Sequence, residues 1–327
     1  MKPMNLHDLS RFRGELMGIA MLVVMMFHVG FSRYDTIWFC MNRCGNVGVD
    51  MFLFLSGIGL WYAWCKGTQN LLVFYRRRFQ RIYPAWLLLS SLYYVPLYFE
   101  GKFTLLQTIG NILIGWRLWS GFVDEFWFIP MILAFYLVAP FYMMLIRKHE
   151  AWRWLPMVAM VFCVLLQYWQ PLNVAAGHLE ILFSRVPIFL LGINAGQWVK
   201  EERQLEPHAF WQLLLLFVLS FGVCINFENG LRGRFPLFLE RMVYIPLSIS
   251  ALLLLCKVLA HSPQWLTKAL AFVGTVSLEL YLIHVNFVLK YLQPYNFGYW
   301  LTLLLMTAIA LLLAWIIHKL LSLIPWK

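Results

Sequence analysis

Charge is scarce in this chain of 327 residues: Asp, Glu, Lys and Arg together supply only 13% of it. A soluble domain needs a far more polar surface, so this shortage, beside 62% hydrophobic residues, excludes a soluble enzyme. Acidic residues are the scarcer sign, 15 against 26 Lys and Arg, for a net charge of +11. In a chain this apolar, such an excess reports membrane topology and anionic-lipid contact, and no nucleic acid partner is expected. Cysteines number six and lie mostly in apolar runs (Cys163, Cys224, Cys256), with Cys65 just past the second run. Only Cys40 and Cys44 share a connection. Their spacing admits a small disulfide or two free thiols, and the connection offers no further ligands for a metal. Long polar stretches are missing too. The longest connections, near 31–46, 66–80, 169–179, 199–208 and 226–239, fall below the ~50 residues of a small independent domain. Residues 1–327 are therefore read as a single transmembrane domain.

What the chain has in abundance is apolar runs of spanning length. They fall near 14–32, 46–64, 81–99, 126–146, 153–169, 180–198, 209–226, 240–258, 269–289 and 298–321. The fold class is an all-α polytopic membrane protein of about ten transmembrane helices. A further stretch from Leu105 to Trp116 contains Gly110, Asn111 and Gly115 and is too short to cross, so a re-entrant or interfacial segment fits it better. The first run has a basic leader (Lys2, Arg11, Arg13) but no small-residue cleavage site, and it is read as a retained helix. Ten crossings put both termini on one face. With that face cytoplasmic, seventeen of the 26 basic residues gather there, satisfying the positive-inside rule. The expected topology is a membrane crossed many times, with both termini cytoplasmic.

Ionisable residues inside such runs are costly and usually mark a pathway or reaction site. His28 ends the first run, and Asp50 opens the second. A His oriented by an Asp is a general base with its partner, so His28 and Asp50 are the catalytic candidates. Glu125, Arg185, Glu240, Arg241, Glu279 and His284 fall at a similar depth on other helices. Glu279 and Arg185 also admit reading as a structural ion pair. His318 reads as a snorkelling interface residue. A second cluster, Arg76, Arg77, Arg78 and Arg81, stands at the foot of the third run. It reads either as a positive-inside anchor or, through its closely spaced guanidinium forks, as a polyphosphate site. Gly14-x-x-x-Gly18 and Gly192-x-x-x-Gly196 read as close-packing helix faces.

Taken in order, several blocks resemble the acyltransferase-3 family of bacterial integral membrane O-acyltransferases, over nearly the whole chain. They are Val24-Met25-Met26-Phe27-His28, Gly48-Val49-Asp50-Met51-Phe52, Arg77-Arg78-x-x-Arg81-Ile82-x-Pro84, Trp127-Phe128-Ile129-Pro130, Arg185-Val186-Pro187-Ile188-Phe189 and Ser277-Leu278-Glu279-Leu280-Tyr281-Leu282-Ile283-His284. The resemblance implies an acyl group, commonly acetyl, taken from cytoplasmic acyl-CoA and passed to a hydroxyl of a cell-envelope glycan or lipid-linked acceptor. Acyl-CoA is then a donor substrate, with no tightly bound cofactor and no metal. It further implies His28 as the catalytic residue and the arginine motif as the donor-binding element. The family usually carries Arg eleven residues before the His, where this chain has Met17; Arg13, one turn earlier, is the candidate replacement beside Arg76, Arg77, Arg78 and Arg81. Glu125, Arg185, Glu279 and His284 would line the acceptor cavity. The competing function is a transporter or flippase of a small hydroxylated or amino compound, using the same polar cavity. A purely structural subunit would leave His28 and Asp50 unexplained.

Overall fold

The computed structural model describes residues 3–32, 36–67, 70–229 and 234–324; Lys2 of the basic leader lies outside them. Each of the ten apolar runs forms helix. They are α1 (Arg13–Val29), α2 (Val47–Lys66), α3 (Leu71–Phe99), α5 (Phe128–Lys148), α6 (Leu155–Tyr168), α7 (Val186–Lys200), α8 (Ala209–Asn229), α9 (Leu237–Leu259), α10 (Gln264–Thr275) continued by α11 (Ser277–Ile283), and α12 (Tyr299–Ser322). Helix is dictated here because a bilayer leaves no water to satisfy backbone groups. By length and composition, six described helical spans are able to cross, or up to eight if each of two bent pairs makes one crossing. Two expected runs fall short for different reasons. α1 is only 17 residues long, and the apolar part of α3 is diluted by Tyr83, Pro84, Ser90, Ser91, Tyr93, Tyr94, Pro96 and Tyr98.

The bends are Gln170–Phe183 with Val186–Lys200 at 44° and Gln264–Thr275 with Ser277–Tyr295 at 61°. Beyond the second bend, His284–Leu289 is wound as π-helix, a distortion that is common at functional sites. The segment read as re-entrant or interfacial is α4 (Leu105–Ile114), ten residues opened by a Thr104–Gln107 capping box. At 1.5 Å per residue it extends about 15 Å, half a bilayer core. Gly115 ends it at φ +64°, and a Cβ there would lie 2.7 Å from Pro130, so this turn requires glycine.

Phe31 stacks on Tyr299 with ring centroids 3.7 Å apart, and Tyr299 donates to the Met26 carbonyl at 3.4 Å. The end of α1 therefore meets the start of α12, which returns the chain to the face where α1 began. That face, from which α1 starts and at which α12 ends, is called the near face below, and the opposite one the far face. Also on the near face, Met4–Asn5 pairs antiparallel with Gln204–Leu205 after α7.

Inside the bundle, α2 packs most extensively on α7, and α1 on α10. Both crossings are glycine-built. A Cβ on Gly18 or Gly274 would enter the opposing backbone at the α1–α10 crossing, and one on Gly57 or Gly192 would do so between α2 and α7. This bears out the small-residue faces read from the sequence, since close backbone approach replaces hydrophobic burial as the source of association in lipid. The span containing α2 is 78% buried, whereas α8 is only 11% buried. α2 is thus the central post and α8 a lipid-facing outrigger. No disulfide joins Cys40 and Cys44.

Candidate active site

His28 lies one residue from the far end of α1, and α11 brings His284 against it. Nδ1 of His28 lies 2.9 Å from the Val24 carbonyl and 3.2 Å from Nε2 of His284. Nδ1 of His284 in turn lies 2.9 Å from the carbonyls of Leu280 and Tyr281. Carbonyl oxygens only accept, so a neutral His284 carries its proton on Nδ1 and offers Nε2 as an acceptor. His28 then carries its own proton on Nδ1, directed at Val24 and His284. Its Nε2 is left with a free lone pair, which is what a general base or nucleophile requires.

That Nε2 is 3.6 Å from Oε2 of Glu125. Glu125 lies in the turn before α5, with its side chain 46% exposed against 20% for His28, so the pair opens to the far side. Partial burial, then the neighbouring Asp124 carboxylate, hold the Glu125 carboxyl above the usual carboxylate range. The turn itself is tightly held. Asp124 accepts from Tyr94 Oη at 2.5 Å and from the Phe126 amide at 3.0 Å, and pairs with Arg117 Nε at 3.2 Å. Tyr281 donates to the Glu125 carbonyl at 2.6 Å and accepts from the Phe128 amide at 3.2 Å.

Asp50 is not the orienting partner of His28. It is fully buried, its nearest cation is Arg185 Nε at 4.0 Å, and both of its carboxylate oxygens are without a hydrogen bond. Arg185, equally buried, donates to Asn46 Oδ1 at 3.2 Å and lies with its guanidinium 4.9 Å over the Trp127 ring. Helical rotation accounts for the difference: Asp50 is on the face of α2 that packs inward, whereas His28 meets α11. Beside Asp50 and Arg185, Arg241 pairs with Glu180 and donates to Ser184 at 3.0 Å, while Glu240 accepts from Tyr244 at 2.7 Å. Glu279 also departs from expectation. Its carboxylate is bonded to His318 Nδ1 at 2.9 Å, so it pairs with neither Arg185 nor the far-side histidines, and His318 is more than an interface residue.

A narrow cavity of about 80 Å³ runs between α1, α2, α3, α5 and α11. Arg13, Arg78 and Arg81 line one part of it, with Met17 and Tyr136 beside them; Val49, Phe52, Ile132 and Leu278 make most of the remainder apolar, interrupted by Ser56 and Ser277. It ends against Val24 and Tyr281, the residues that hold His28 and the Glu125 turn. Arg13 reaches it by crossing onto α2, where its Nε donates to the Leu55 carbonyl at 3.2 Å. A Cβ on Gly59 would lie 2.6 Å from that guanidinium, so Gly59 makes the room. Arg78 carries a buried Nε with no partner. Of the other two arginines, Arg77 lines a separate recess beside Arg78, and Arg76 is exposed. No cluster of three or more His, Cys, Asp or Glu suited to a metal occurs among the described residues.

Sequence reasoning named His28, His284 and Glu125 but not the framework that aligns them. Asp124 was visible only as the neighbour of Glu125 and Tyr281 only as part of the Ser277–His284 block, and nothing in the spacing announced that Tyr281 bonds to a turn 156 residues away.

A bundle with an arginine-lined cavity that ends at Val24, and His28 with its free lone pair one helical turn further along the same helix, has the makings of a polytopic membrane enzyme of the group-transfer kind. The chain belongs to the acyltransferase-3 family, whose model, described as an acyltransferase domain, matches residues 16–319. It is a multi-pass membrane acyltransferase. No curated protein and no solved structure matches it.

Proposed function

We propose that this acyltransferase moves an acyl group, most simply acetyl, from acyl-CoA on the near face to a hydroxyl of a cell-envelope glycan or related acceptor on the far face. The near face is then cytoplasmic and the membrane a bacterial inner membrane. The observation that carries this reading is the cavity with Arg13, Arg78 and Arg81 in one part and His28 beyond its far end. Guanidinium groups suit the phosphates of coenzyme A, and the unpartnered Nε of Arg78 is a donor awaiting an acceptor. A thin apolar passage suits the pantetheine arm. A transporter of a small hydroxylated or amino compound has no use for such a mouth.

With the thioester at the Val24–Tyr281 end, His28 Nε2 takes the proton of the acceptor hydroxyl as its oxygen attacks the thioester carbonyl. The carbon–sulfur bond breaks, the new ester leaves, and the imidazolium returns the proton to the departing thiolate. In a two-step variant the same Nε2 attacks the thioester carbonyl first, expelling the coenzyme A thiolate as the carbon–sulfur bond breaks; the acceptor hydroxyl then displaces the acyl group from nitrogen, its proton passing to the thiolate. Both routes need the one lone pair that His284 leaves free. Glu125 stands where its ionised form steadies the imidazolium.

Radiolabelled acetyl-CoA supplied to inverted membrane vesicles tests this directly. Label should enter the envelope-glycan fraction with the wild-type protein and not with His28→Ala at equal protein level. Equal labelling by the two would overturn the proposal.

A further inference from the structure

On the face of α1 away from the donor cavity lies a much larger groove of about 1480 Å³. Ile19, Val23 and Met26 of α1 form one wall, and Leu214 and Phe221 of α8 with Ala251 of α9 form the other. It extends from Lys257 and His261 near one face to Trp38, Tyr299 and Trp300 at the other, so it follows the bilayer through its thickness. Helix α8 is largely lipid-facing, and Met26, Trp38 and Trp300 are exposed. The groove is therefore continuous with the hydrocarbon around the protein.

Its near end is polar, with Asn5, Asp8, Lys257, His261 and Ser262, and toward the far end a buried amide interrupts the apolar lining. Asn42, only 8% exposed, donates its amide to the Met26 carbonyl at 2.6 Å and lies 3.2 Å from Tyr299 Oη, but its Oδ1 is buried with no hydrogen-bond partner. A buried acceptor left unsatisfied bears the full cost of its desolvation, which a donor from a bound molecule would relieve. The Trp and Tyr side chains around it are those that favour the headgroup level of a bilayer. A partner helix fits less well, because close helix packing needs small residues along the contact and this rim carries Trp and Phe.

We propose that this groove is a binding site for a membrane lipid with a hydroxyl-bearing head, its hydrocarbon lying along α1, α8 and α9 and its hydroxyl donated to Asn42 Oδ1. The head then sits at the far end of the helix that carries His28, and the chain on the side of α1 opposite the acyl donor. The site stands independently of the acyl-CoA reading, since it rests on the groove and Asn42 alone.

The test uses the full chain in nanodiscs doped with phosphatidylglycerol carrying a photoactivatable diazirine in one acyl chain, with adducts mapped by mass spectrometry. Adducts should concentrate on the α1, α8 and α9 residues of the groove. Ala251→Trp, which fills it, should cut that labelling severalfold, while Leu312→Trp on the exposed face of α12 should not. A matched phosphatidylcholine probe, which lacks a hydroxyl, should label the groove of the wild-type protein about fivefold less, the worth of one net hydrogen bond. Asn42→Leu should erase that preference. Labelling spread evenly over all lipid-facing helices, indifference to Ala251→Trp, equal labelling by the two headgroups, or groove crosslinks to a second copy in place of lipid would each overturn the proposal.

Discussion

Two charged centres lie side by side in this bundle, and they are built oppositely. His28, His284 and Glu125 meet where side chains reach an opening, with exposure rising from His284 at 1% to Glu125 at 46%. Asp50 and Arg185 have no exposure at all and touch only protein. The first centre holds a lone pair ready for a proton; the second holds charge where nothing from outside reaches it. An intramembrane ionisable residue is thus not by itself a catalyst. Access and a free coordination position separate a reacting group from a scaffold charge.

The sharpest way to break this contrast is to remove a member from each centre. His28→Ala should abolish acyl transfer, a loss of at least the 10²–10⁴ that general base action is typically worth, while thermal stability in detergent stays near wild type. Asp50→Asn should act in the opposite sense. It strands the Arg185 charge, for which the usual cost is about 3–5 kcal/mol, so the loss should appear first as a lowered melting temperature and reduced yield. Arg185→Met combined with Asp50→Asn should recover much of that stability. Activity lost from Asp50→Asn with stability untouched would merge the two centres.

Next in size are the donor contacts. A hydrogen bond to a charged group contributes roughly 1.5–3 kcal/mol, so replacing Arg78 and Arg81 with Gln should weaken acyl-CoA binding by about tenfold or more for each, measured by calorimetry. Added salt should weaken the wild-type affinity in the same direction.

Glu125→Gln should give a smaller and pH-dependent change. The carboxyl is held above its usual range, so it stays protonated over a wider interval, and there the neutral amide mimics it. The rate deficit should therefore be slight at low pH and grow as pH rises through the raised carboxyl range, where only Glu becomes an anion beside His28. The linked contribution to stability has the matching sign: it is complete below the ordinary carboxyl range and is lost as pH rises through the raised one. A deficit equal at every pH would remove Glu125 from the chemistry. The smallest effect is expected at Arg13. Arg13→Ala should cost a few-fold in donor affinity, and adding Met17→Arg, which lines the same cavity, should restore part of it.

How much of this was legible in the sequence follows from what hydropathy encodes. The helices were readable because a bilayer demands apolar runs of fixed length, and Gly18 and Gly192 were readable as crossings because only Gly permits such approach. Helix rotation was not readable. His28 and Asp50 are close in sequence and depth, yet they face different neighbours, while His284, 256 residues away, is the actual partner of His28. Glu279 and His318 repeat the lesson across 39 residues. The arginine cluster was visible as four like residues, but only the twist of α3 shows that Arg78 and Arg81 turn toward the donor cavity and Arg76 does not. Each missing fact is a rotation about a helix axis, set by packing against elements distant in the chain.

The central claim is that one passage joins the arginine mouth to His28. Val24→Cys places a thiol at its inner end, and a coenzyme A pyridyl disulfide will form a mixed disulfide with it by thiol exchange only where the pantetheine sulfur arrives. The account predicts an adduct at position 24, mapped by mass spectrometry, that acetyl-CoA suppresses and that replacing Arg78 and Arg81 with Gln slows. An adduct confined to the half-buried Cys65, or one at position 24 indifferent to both acetyl-CoA and the arginines, would contradict it.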